Sequence, residues 1–424
     1  MKTRRRLMLP VGLVAALITF ASQAGMTAAV ARIDMPREGE TVRNRSHPEY
    51  DALGMTVGSM RLNTSIGVMG RYTDNQFYRQ NNRQSDITLM LRPDINLRSN
   101  WSRHSFELRA NGDFEFNEKY TTEDADNMSV SARGRIDISK DTNLTLGSSW
   151  RDWQEDRGAP DDQDGFKPTQ YDETLANAVV RHRFGRFTLA VGGSYSRRNY
   201  KDNVRFDGAL IENDDRDRDI FRLDGRLRYK VQDGLELFVQ ATRNWRRFDE
   251  PLNDGFQRNS QGIDVSGGID LQLSNTVFGY FYVGYVDQNY LDPRFAEVNA
   301  VLFGGDIDWN VTPLTTINLR ADRDLMDTVT FGSPGYLSDR VRLTIDHELR
   351  RNIIVTLEGM IGQNDFRQSP RDETVYNFGV RVEWQWNRHL ALNVGYQHFG
   401  KDTSFAGVNE YKINQVTLGV TARY

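Results

Sequence analysis

The last ten residues, Gln415-Val416-Thr417-Leu418-Gly419-Val420-Thr421-Ala422-Arg423-Tyr424, place Val416, Leu418, Val420, Ala422 and Tyr424 on one parity and the more polar residues on the other. Side chains of an extended chain point alternately to opposite faces, so this stretch reads as a strand with one apolar and one polar face. The pattern repeats upstream. Val341, Leu343, Ile345 and Leu349 alternate with Arg340, Arg342, Thr344, Asp346, Glu348 and Arg350, and Phe221, Leu223, Leu227 and Tyr229 alternate with Arg222, Asp224, Arg226, Arg228 and Lys230. Segments of this kind, about ten residues each, continue from residue 60 to the end, and helical periodicity is missing.

The connections come in two lengths. Short turns sit near 99–102, 139–142, 185–186, 232–234, 274–276, 310–313, 350–352 and 387–389, and longer polar stretches such as 152–172, 201–218 and 246–260 lie between them. A soluble sandwich has no reason to sort its connections this way, whereas a transmembrane barrel has tight periplasmic turns and larger external loops. The expected fold is therefore all-β: a closed antiparallel barrel of about 18 strands with both termini periplasmic. Closure is required because an open sheet edge in lipid leaves backbone groups unpaired.

Composition agrees. A chain of 424 residues with 38% hydrophobic residues and a mean hydropathy of −0.63 is not a bundle of membrane helices, and its 17 Tyr, 22 Phe and 7 Trp are too many for disorder. A net charge of −4 gives no basic field for nucleic acid, and the absence of Cys means no disulfide framework. Lys2, Arg4, Arg5 and Arg6 precede an apolar run and then small residues ending in Ala29-Val30-Ala31. That order reads as a signal peptide over 1–31, with cleavage after Ala24 and an uncleaved anchor as alternatives. Residues 32–59 are then a short periplasmic segment and 60–424 the barrel.

Aromatic residues gather where barrel strands cross the two interfaces. Trp150 and Trp245 fall toward long-loop ends, and Trp309, Trp384 and Trp386 toward short-turn ends. Tyr424, on the parity of Leu418 and Val420, resembles the terminal aromatic by which barrels are recognised for assembly.

Parity turns Arg133, Arg135, Arg181, Arg183, Arg198, Arg222, Arg226 and Arg228 inward in the first half, and Asp306, Asp308, Asp322, Asp324, Asp346 and Glu348 in the second. Closing such a sheet sets a basic wall across from an acidic one around a wet lumen. Cross-strand ion pairs that merely stiffen the interior are the alternative.

No catalytic residue, cofactor or metal site is read from the sequence. His104, His182, His347 and His398 share the outward parity, His389 lies in a turn and His47 precedes the barrel. Asp346-His347-Glu348 throws its imidazole away from its carboxylates. No nucleophile elbow, Walker loop or zinc pair appears. Asp161, Asp162, Asp164 and Gly165 are similar to a calcium loop, yet Pro160 stands where the first ligand belongs. A solvated external loop is expected there, with weak divalent-ion binding left open.

Several stretches carry a family likeness. They are 47–55 followed by Gly58-Ser59-Met60 and by 72–75, Asp292-Pro293-Arg294-Phe295, 309–316, Gly335-Tyr336-Leu337-Ser338 and 346–352. Together they resemble the β-barrel porin family of type 2, found in the outer membranes of alphaproteobacteria. The resemblance implies an outer-membrane barrel, and through the family's association with polysaccharide genes it implies exopolysaccharide export. It assigns no catalytic residue. The implied partners are outer-membrane lipid, the barrel assembly machinery and a periplasmic polysaccharide export protein. A general diffusion porin is the alternative, and its mark would be a loop folded into the lumen, a feature that alternation does not reveal. An outer-membrane hydrolase and an anchoring barrel are the remaining classes.

Overall fold

The computed structural model describes residues 39–251, 255–272 and 276–424. The expected signal peptide and most of the turn at 274–276 lie outside the described residues. Eighteen strands follow one another around a ring. The first nine are β1 (Met60–Thr73), β2 (Asp86–Ser99), β3 (Ser105–Asn117), β4 (Ala125–Asp137), β5 (Thr142–Gln154), β6 (Gln170–Phe184), β7 (Phe187–Tyr200), β8 (Arg218–Gln232) and β9 (Leu235–Phe248). The rest are β10 (Ser260–Gln272), β11 (Val277–Tyr290), β12 (Val298–Thr312), β13 (Thr315–Met326), β14 (Tyr336–Arg350), β15 (Ile353–Phe366), β16 (Asp372–Gln385), β17 (Leu390–Thr403) and β18 (Tyr411–Arg423).

Each strand pairs antiparallel with its sequence neighbours, and β18 returns to β1 with Ser65 opposite Arg423 and Thr73 opposite Gln415. Beyond the ladder, Tyr424 donates its N–H to the Thr64 carbonyl at 3.1 Å and stacks its ring on His389 at 5.9 Å. The ring therefore has no free edge. Following opposite partners once around displaces the register by about 22 residues, which tilts the strands by about 40° at a backbone radius of about 18 Å. Such a bore is too wide for side chains alone to fill.

Short turns rely on backbone that L side chains rarely adopt. Gly185, between the paired residues Phe184 and Phe187, has φ 61°, and Gly234 has φ 77°.

Outward parity is apolar on every strand. Leu343 and Leu418 keep 42% and 63% of their surface exposed, an apolar belt that only lipid satisfies. Aromatic residues stand at both ends of the strands. Trp150 and Trp245 stand toward the long loops, while Trp309 and the stacked pair Trp384 and Trp386 stand toward the short turns.

Candidate functional site

The loop between β5 and β6, residues 155–169, does not stay outside the barrel. Its base is fixed by Arg157, which is buried and grips Glu123 at 2.8 and 2.6 Å while donating to the carbonyls of Gly165 and Phe166. Gly158 then passes so close to Tyr78 and Tyr411 that any Cβ would collide with both rings. Next the Pro160 carbonyl accepts from Arg371 at 2.7 Å, just ahead of β16. On the return, Asn409 donates to Asp164, and Gly165 bridges Arg205 in the β7–β8 loop. Contacts with β18 and the start of β16, far around the ring from β5, require the loop to cross the lumen.

A second loop, 327–335 between β13 and β14, enters from the other side. Asp327 pairs with Arg246 and lies 3.4 Å from Arg218, side chains that face inward from β9 and β8. The two loops meet where the Asp161 carboxylate accepts from the Thr328 hydroxyl at 2.7 Å and the Val329 N–H at 3.1 Å. Arg371 clamps both. It donates to Pro160 of one loop, to Thr330 of the other at 2.8 Å, and to Glu373 at 2.5 Å, whose side chain is wholly buried. Asn364 and Lys401 complete the cluster around Glu373.

The short-turn mouth is lined by residues 39–53, a strap that precedes β1. Val42 is buried, and its N–H donates to Thr316 at 3.0 Å. Arg43 pairs with Asp346 at 2.7 Å, and Arg45 pairs with Glu348 and donates to the Pro313 carbonyl. His47 lies 3.2 Å from the same Glu348. Farther along, Arg388 and Arg423 donate to the carbonyls of Pro48 and Tyr50. The strap thus follows the wall from β11 around to β18 and β1, and among the described residues its bonds do not reach β3–β6.

Comparison with known proteins decides the family. The family described as "Putative beta-barrel porin 2" matches residues 47–424. The chain belongs to that family. Its place is accordingly the bacterial outer membrane, and its fold and family are those of a channel. Solved outer-membrane barrels are similar in fold only. The ferric enterobactin receptor of Pseudomonas aeruginosa shares 7% identity over 88% of this chain and 81% of that one, with a TM-score of 0.47. OccK2 (OpdF) of the same organism shares 11% over 85% and 98%, with a TM-score of 0.45. The siderophore receptor PirA of Acinetobacter baumannii shares 8% over 85% and 80%, with a TM-score of 0.43. No curated protein matches.

In this porin every candidate wall residue faces inward by register, but the two walls are not left free. Arg135 binds Asp137, Arg183 binds Asp141, Arg198 binds Glu173, and Arg228 stands 3.8 Å from Glu236. Arg226 donates to Gln240. In the row across three strands Arg181, Ala190 and Arg226 lie side by side, with Arg133 and Arg222 on the same face of β4 and β8. Opposite, Asp306 and Asp308 share the Asn318 amide, Asp322 lies 3.3 Å from Arg320, and Asp324 sits across from Ser338.

Two expectations need correction. Asp346 and Glu348 are not open acidic wall, because Arg43 and Arg45 of the strap occupy them. The aspartate-rich stretch 161–164 is not a free external loop, because Asp161 accepts from Thr328 and Val329 of the β13–β14 loop and Asp164 from Asn409 of the β17–β18 loop. Among the described residues no group of His, Cys, Asp and Glu could hold a metal. The four outward histidines bond neighbours instead, as His182 does Thr142 and His347 does Thr315.

The crossing loop carries its own titration. Burial pushes the Asp162 carboxyl up to about 7, with Arg157 opposing the shift and Asp164 and Glu155 adding to it. Burial likewise raises Asp156, with Glu115 adding and Arg71 opposing. An acid whose docked pKa lies above its free value of about 3.9 favours docking fully below that value and loses the preference as pH rises. Docking is therefore tightest in acid and weakens from about pH 4 to about pH 7. In planar bilayers the opening frequency is expected to climb across that window, and Asp162→Asn, which mimics the protonated carboxyl, to remove the step near neutrality. A flat wild-type profile would refute this.

Proposed function

We propose that this porin is a gated diffusion channel for small polar solutes, with its long loops outside the cell, its short turns and strap in the periplasm, and a preference for anions. The observation that carries the proposal is the β5–β6 loop crossing the lumen and latching onto the β13–β14 loop. A polymer exporter needs a wide, weakly binding bore. Neither the geometry nor the comparisons support exopolysaccharide export, and the crossing loop counts against it.

The anion preference rests on where charge meets water. Arg109, Arg135 and Arg183 keep 46%, 52% and 61% of their side-chain surface exposed at the short-turn half, while Asp346 and Glu348 opposite are held by the strap. Local pairs reduce the field, but exposed guanidinium groups still raise the concentration of anions nearby.

The test is reversal potential in a KCl gradient across bilayers holding the full barrel. Chloride should carry most of the current, and Arg133→Gln, Arg135→Gln, Arg181→Gln and Arg183→Gln together should abolish or invert that selectivity. A wild-type barrel selective for potassium would sink the anion reading. Absence of any conductance would sink the channel, and loss of polymer secretion from a strain lacking such a barrel would restore export.

A further inference from the structure

Where β14 runs into its short turn, one extra residue enters the strand. Glu348 lies opposite Ile354 while Arg350 lies opposite Ile353, so Leu349 is a bulge. Glu348 and Ile354 face the lumen, and the step past the bulge therefore sets Arg350 on the outer face. There it shares a row with Ile353, Trp384 and Leu392 of β15, β16 and β17. The turn is pinned beside the tryptophans, because the Asn352 carbonyl accepts from the Gln385 N–H at 2.8 Å and the Asn352 amide donates to the Gln385 carbonyl at 3.1 Å. Trp384 and Trp386 flank Gln385, with ring centroids 5.8 Å apart and planes within 9°. Both rings are exposed, and Leu349 keeps 61% of its surface exposed.

Arg350 and Arg351 are exposed as well, and among the described residues neither guanidinium has a hydrogen-bond or ion-pair partner. Other basic groups of this rim are engaged. Arg103 donates to the Asp137 carbonyl and Arg186 to that of Val231, and Lys230 pairs with Asp233. The carboxylates nearest in the chain, Glu348 and Glu383, point into the lumen, and Glu348 is held by Arg45. Tryptophan side chains mark the depth of lipid headgroups, and the group that meets guanidinium at that depth is phosphate, which it can bind through two parallel N–H bonds. A zwitterionic headgroup brings its own ammonium to that phosphate, whereas an anionic one leaves its charge for the protein. Two adjacent guanidinium groups with no carboxylate on their face thus select net negative charge.

We propose that the β14–β15 turn and the Trp384–Trp386 pair form a seat for an anionic glycerophospholipid of the inner leaflet, its phosphate on Arg350 and Arg351 and the start of its acyl chain against Leu349 and the stacked rings. The proposal rests on the placing of the short turns in the periplasm, the side on which the leaflet is phospholipid.

The experiment reconstitutes the full barrel in nanodiscs of equal parts phosphatidylethanolamine and phosphatidylglycerol and counts the lipids it retains by native mass spectrometry. Wild type should keep phosphatidylglycerol in preference. One arginine near an anionic surface is worth about fivefold in occupancy, so Arg350→Gln with Arg351→Gln should lower retention by at least that factor. Replacing both by lysine should restore most of it, and Arg103→Gln with Arg186→Gln, elsewhere on the rim, should leave it unchanged. All four residues are exposed, and heat-modifiable migration checks that each variant is folded. Equal retention by wild type and the glutamine pair, or equal loss from the distant pair, would overturn the seat. Because the chain has no Cys, Arg351→Cys tests the orientation separately with an impermeant maleimide. Labelling only after the outer membrane is permeabilised is expected, and labelling of intact cells would overturn the periplasmic placing and the inner-leaflet lipid with it.

Discussion

Replacing Arg371 with alanine is expected to raise the open probability of the channel more than any other single change. The guanidinium bonds both inward loops, through Pro160 and Thr330, and it also neutralises Glu373. The Arg371 and Glu373 side chains are 9% and 0% exposed, so the truncation strips a buried carboxylate of its main partner. Breaking such a pair costs roughly 3–5 kcal/mol, and the low end applies because Lys401 and Asn364 stay at 3.6 and 2.9 Å. The barrel wall does not depend on the clamp. The expected result is therefore a folded, heat-modifiable protein whose 155–169 loop becomes open to protease and whose single-channel record shows longer, larger openings. An unchanged record with unchanged proteolysis would mean that the loop is held elsewhere.

Charge on the outer face is expected to be the costliest change to the barrel itself. Leu343 is the central residue of β14, exposed outward and flanked across the ladder by Leu319 and Gly359. Leu343→Arg there should destabilise by about 2–4 kcal/mol in lipid, as arginine does near a bilayer midplane. Thr344→Arg, one residue on, points into the lumen and should cost far less. Reversible denaturant unfolding in vesicles checks the pair, and equal losses would mean that the facing is wrong.

The facing was legible because a period of two survives every local variation. Leu418, Val420 and Leu343 against Thr417 and Arg342 needed no structure. The strand number was legible too, since each short turn and each long stretch marks one end of a hairpin. What alternation cannot tell is where a long loop goes once it leaves the wall. Asp161 reads as solvated because aspartate usually is, and its partners Thr328 and Val329 lie 167 and 168 residues away. The same holds for the acidic wall. Nothing within β14 signals that Asp346 and Glu348 belong to Arg43 and Arg45, 303 residues earlier. One clue was present in the sequence: Gly158 sits amid a run of charges, where only a residue without Cβ passes between two tyrosines.

The strap sets an order of events. Residues 39–53 come before every barrel strand, yet most of their seats belong to late strands and turns: Pro313, Thr316, Asp346, Glu348, Arg388 and Arg423. A sheet that ends before β14 offers Arg43 and Arg45 no carboxylate, and one that ends before β18 offers the Tyr50 carbonyl no Arg423. A segment made before the barrel strands consequently finds most of its seats only on strands made after β12. A strap still loose along its whole length would therefore mark a sheet that stopped short of its late strands.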